Sequence, residues 1–132
     1  MIDSETQVFD AVYPYIEYMV PKGSFTSEFV RKPARFPHVY LCEIDNYPDR
    51  RTADSGTPEW SSIVAYESQI FAKSKEQCRR IQAKLDEAMV ELLGFSKIQG
   101  QFVPNLPDQN IYRIVARYRR GVTRTGDMYV PR

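Results

Sequence analysis

Histidine and cysteine are scarce in this chain, and long apolar runs are missing altogether. His38 is the sole histidine, and Cys42 and Cys78 are the only cysteines. The two cysteines have no metal-ligand spacing, and each falls among apolar residues, so both read as small buried hydrophobes rather than ligands. A disulfide scaffold is not expected at this length, which fits synthesis inside a cell. No apolar stretch reaches the roughly 18 residues that a membrane-crossing helix needs. The opening MIDSETQVFD is acidic and polar, unlike a secretory signal. An excess of charge of one sign is also lacking. Eighteen Lys and Arg against 17 Asp and Glu leave a net charge of +1, too little to draw the whole molecule to nucleic acid or membrane.

The same scarcity bears on catalysis. Gly-x-Ser-x-Gly elbows, His-Glu-x-x-His helices, Walker loops and dinucleotide glycine fingerprints are all absent. His38, directly after Pro37 at a strand start, reads as a structural or surface histidine. No enzymatic activity, cofactor or metal is expected.

What is present is one domain's worth of ordinary globular sequence, 132 residues with 42% hydrophobic and 27% charged. Ser4 and Gln7 make a capping-box pattern, and Val8, Val12, Tyr15, Ile16 and Met19 share a helical face. Pro14 predicts a break, so the helix is expected over about residues 4–13. With an irregular segment, it occupies residues 1–35. His38–Asn46 reads as a strand, with Val39 and Leu41 set against Tyr40, Cys42 and Ile44. A polar loop over 47–59 follows, carrying Arg50 and Arg51, and its composition predicts an exposed segment, mobile in the free protein. Ser61–Phe71 is a second strand, antiparallel to the first, with Val64, Tyr66 and Ile70 on one face.

Ser74 and Gln77 open the clearest helix, Ser74–Leu93, whose stripe is Cys78, Ile81, Leu85, Ala88, Met89 and Leu92. Gly94 stands where a left-handed cap ends it, and Phe95 folds back onto the last turn. Gln99–Asn110 reads as a connection, Ile111–Arg120 as a strand and Met128–Val130 as a short final strand. This order predicts an α+β fold, a single mostly antiparallel sheet of 3–4 strands with two helices packed on one face.

The strand IYRIVARYRR (Ile111–Arg120) carries the clearest signal. At period two, Tyr112, Ile114, Ala116 and Tyr118 share one face, while Arg113, Val115, Arg117 and Arg119 share the other. Alternation of tyrosine with arginine argues against a stacking platform for nucleic acid, whose aromatics and cations would share a face. Glu43 and Glu67 are expected beside Arg113 and Arg117, as a cross-strand ion network or as contacts to a neighbouring subunit. Nine tyrosines suit either a tyrosine-rich core or an interface.

Several segments together give the chain a family resemblance. FPHVYLCEIDN (Phe36–Asn46), IVAYESQIFAKS (Ile63–Ser74), LLGF (Leu92–Phe95), PNLPDQNIYRIVARYRRGV (Pro104–Val122) and GDMYVPR follow in order over about residues 36–130. In this the chain resembles the tail terminator, or tail completion, proteins of long-tailed bacteriophages. The resemblance implies a virion protein made in the bacterial host cytoplasm that closes into a ring of identical copies, typically a hexamer. The ring caps the tail tube, ends its polymerisation and offers a surface to the head–tail connector, with the genome passing through its lumen. It implies packing roles for Phe36, Phe95, Tyr112 and Tyr118. Arg113, Arg117, Arg119 and the 47–59 loop become the expected contacts with neighbours, tube protein or connector. A head-completion or neck protein of the same particle, and a small nucleic-acid-binding module, are the alternative readings.

Overall fold

A computed structural model of the chain describes residues 3–28, 33, 35–48, 61–103 and 110–123. Helix α1 spans Glu5–Ile16, the two-residue strand β1 Phe25–Thr26, β2 His38–Pro48 and β3 Ser61–Ala72. Helix α2 covers Lys75–Asp86 and runs on as a π-helical segment over Glu87–Leu92, followed by β4 (Ser96–Val103) and β5 (Tyr112–Thr123). One five-stranded sheet results, ordered β1-β2-β3-β5-β4. β1 runs parallel to β2 and the other pairings are antiparallel.

Both helices bury their apolar stripes against the same sheet face. Val8, Val12 and Ile16 of α1 join Cys78, Ile81 and Leu85 of α2 and Ala88, Met89 and Leu93 beyond it. Opposite them stand Val39, Leu41, Val64, Tyr66, Ile70, Ile114, Ala116 and Tyr118. The predicted α+β class and helix-covered face hold, with five strands in place of the expected 3–4, β1 and β4 being the additional ones.

The local differences have physical causes. α1 continues through Pro14, which lies in its last turn, where only one intrahelical hydrogen bond is forfeited. Ser4 makes no side-chain cap. Its hydroxyl is buried 2.7 Å from that of Tyr66, and Asp3 Oδ1 accepts from the Glu5 amide at 3.3 Å instead. At α2 the expected cap forms, Ser74 Oγ accepting from the Gln77 amide at 3.1 Å. Gly94 adopts φ 73°, and the Phe95 amide reaches back to the Met89 carbonyl at 2.9 Å while its ring is buried. Arg120, on the helix-covered side of β5, donates to the Leu93 carbonyl and so closes the same helix end.

β4 was expected as part of a connection. Its sequence SKIQGQFV shows little apolar alternation because nearly every side chain is exposed at the sheet edge. Pairing with β5 creates the strand, not its own pattern. The 47–59 loop gives up Tyr47 and Pro48 to β2; its remainder, with Arg50 and Arg51, lies outside the described residues, as does Met128–Val130.

Candidate functional site

Period-two alternation divides each strand between the helix-covered face and an opposite face, on which no helix packs among the described residues. Register builds that opposite face in rows. Cys42, Glu67, Arg117 and Gln99 form one row, Tyr40, Gln69, Val115 and Gln101 the next, and His38, Phe71, Arg113 and Val103 the third. Asp45, Ala65, Arg119 and Ser96 form a fourth on the other side. Ala65, Phe71 and Val115 are buried in this face between longer neighbours.

Glu67, Arg113, Arg117 and Arg119 therefore share a face, as expected. Arg117 Nε and Nη2 both approach Glu67 Oε1 at 3.5 Å. Glu43 does not join them. β2 turns Val39 and Leu41, not Tyr40 and Cys42, toward the helices, so Glu43 follows them and accepts from the Tyr66 hydroxyl at 3.3 Å. The sequence leaves this open because both faces of β2 carry apolar residues. A register shift between Glu43 and Asp45 then displaces Ile44, which is left exposed. Tyr112, expected in packing, sits at the end of β5 and is 38% exposed.

Titratable groups are tuned by burial rather than by convergence. Burial pushes the Tyr40 hydroxyl and the Cys42 thiol above their ordinary values; the two lie 2.5 Å apart on one strand. His38 is buried, its pKa lowered by desolvation, with Nε2 3.2 Å from Thr26 Oγ1. Cys42 lies four residues further along the same strand, about 13 Å at 3.3 Å per residue, too far for an imidazole to activate a thiol. Cys78 is buried on the helix side, its thiol pushed up to about 11. Among the described residues no group of three or more His, Cys, Asp or Glu is placed to hold a metal ion. The described helices include none long and apolar enough to cross a membrane.

Two surface regions went unnoticed in the sequence. At the β4 edge, Phe102 (36% exposed) and Tyr112 stand together. Lys75 Nζ lies 5.6 Å from the Phe102 ring centre and 5.7 Å from that of Tyr112, and the Arg79 guanidinium lies 5.5 Å from Phe102. At the β1 edge, Asp3, Glu5, Thr6, Phe9, Asp10 and Ser27 line an open groove, floored by Phe9 stacked on Phe25 with ring centres 4.0 Å apart. Arg79 meets its aromatic partner only because pairing with β5 makes a strand of β4.

No model of a known protein family matches the chain, and no curated protein matches it. Among solved structures it is similar to a chain from the virion of a native gene transfer agent particle. That match has a TM-score of 0.56 and 14% identity, and covers 84% of this chain and 90% of the other. The likeness is one of fold, and it extends over nearly the whole of both chains.

Proposed function

We propose that this protein is a structural component of a phage-like virion and that it acts by assembly rather than catalysis. The single observation that carries this reading is the near full-length likeness in fold to a chain of the gene transfer agent virion. The resemblance of its segments to tail terminator proteins gives the finer role: copies close into a ring, in that family typically of six, on the last ring of the tail tube. The ring ends tube growth and presents a docking surface to the connector. Ring closure requires a head-to-tail contact repeated around an axis, so each copy needs two different complementary surfaces. In this role Arg113, Arg117, Arg119 and Glu67 on the open sheet face, with Arg50 and Arg51, meet neighbouring copies, tube or connector. Glu43 is withdrawn from that set, since it serves the core side.

The test is electron microscopy of particles produced without this protein. Overlong tails lacking heads are expected. Tails of normal length that fail to join heads would instead assign the protein to the neck.

A further inference from the structure

We infer that neighbouring copies meet through opposite edges of the sheet, the Lys75–Arg79–Phe102–Tyr112 face of one copy seating in the acidic groove between α1 and β1 of the next. The inference rests on the ring reading above and identifies its contact.

Exposed aromatic rings beneath two cations form a surface with apolar area at its centre and charge at its rim, the composition of an interface hot spot. Neither Lys75 nor Arg79 has a carboxylate partner among the described residues. Other charges on the same helix are paired: Arg80 with Glu76 at 2.5 Å, Lys84 with Glu87 at 3.3 Å, and Asp86 with Lys97 at 2.8 Å. At the opposite edge the situation is mirrored. Asp3, Glu5 and Asp10 line a groove with an aromatic floor and have no cationic partner among the described residues. Burial raises the pKa of Glu5, and Glu43 and Asp3 raise it further, the mark of like charges gathered without compensation.

The wider charge distribution agrees. β4 and β5 carry Lys97, Arg113, Arg117, Arg119 and Arg120 and no carboxylate, whereas β2 carries Glu43 and Asp45 and no Lys or Arg. Because β1 and β4 are the two ends of the sheet, joining such unlike edges gives a heterologous contact, which repeats in one direction. A second copy of the chain is therefore the occupant that the charges select. The contact supplies rings for a ring-floored groove and cations for carboxylates.

A charge-swap experiment tests this, with sedimentation velocity at matched protein concentration as the readout. Lys75→Glu/Arg79→Glu gives a copy acidic at both edges. Both positions are exposed, and Glu at the first helical position favours the helix dipole. Asp3→Lys/Asp10→Lys gives a copy basic at both edges, and thermal melts check that each variant folds. Wild type is expected to form closed oligomers. Each variant alone should associate at least about 100-fold more weakly, since like charges then face each other. An equimolar mixture should recover oligomers in which the two variants alternate. Wild-type assembly together with equal assembly of the Lys75→Glu/Arg79→Glu variant would overturn this contact while leaving the ring intact. Monomeric wild type throughout would overturn both.

Discussion

Tyr118 Oη lies 2.6 Å from Asp86 Oδ1, joining β5 to α2 beneath the helix layer. The same hydroxyl accepts from Gln82 Nε2 at 2.7 Å, and Asp86 Oδ2 accepts from Lys97 Nζ of β4 at 2.8 Å. Directly opposite in register stands Tyr66, whose hydroxyl meets Ser4 before α1 and Glu43 of β2. Two buried tyrosines thus tie both helices and two further strands, β2 and β4, to the centre of the sheet. The tyrosine content noted in the sequence divides accordingly: Tyr66 and Tyr118 are fully buried, while Tyr112 is at the surface.

Tyr118→Phe should destabilise the fold without changing it. Asp86 and Gln82 lose a partner in a poorly solvated place, a loss of about 1–2 kcal/mol. For a domain of this size that corresponds to a fall in Tm of roughly 5 °C. Calorimetry, with circular dichroism confirming unchanged secondary structure, checks it.

Arg117→Ala and Glu67→Gln should behave differently. Their side chains are 48% and 16% exposed and meet only at 3.5 Å, so each substitution should change monomer stability by less than about 1 kcal/mol. Urea titrations of the monomeric protein measure this. A larger loss would mark the pair as a structural element of the sheet.

Much of the fold was legible because it is written in local patterns. The stripe of α2, its Ser74 cap and the Gly94 stop each depend on residues close in sequence. β4 was illegible because its strand character comes from β5, and β1 because two residues carry no period. Glu43 was misplaced because Val39–Leu41 and Tyr40–Cys42 look equally apolar, and only packing decides which pair faces inward. The two charged edges were illegible for the same reason: α1 with β1, and α2 with β4, come together only in the folded sheet.

Alkaline pH should weaken the fold. Burial holds the Cys78 thiol at about 11 against an ordinary 9.0, so the folded state keeps it neutral while the unfolded chain ionises. This contribution is intact below pH 9 and is lost as pH rises toward 11. Tyr66 and Tyr118 are also raised by burial and extend the decline to higher pH. Urea midpoints between pH 8 and 11 should fall, less steeply for Cys78→Ala. Acid also weakens the fold, through His38, whose pKa burial lowers from 6.5. Its contribution is present above pH 6.5 and is lost as pH falls below that value.

The proposed role is to end tube growth by capping. Its most direct measurement is the length distribution of tail tubes polymerised with increasing amounts of the purified protein. Mean length should fall as the protein approaches one ring per tube, with added density at one tube end. Tubes of unchanged length with bare ends, at any concentration, would contradict the account.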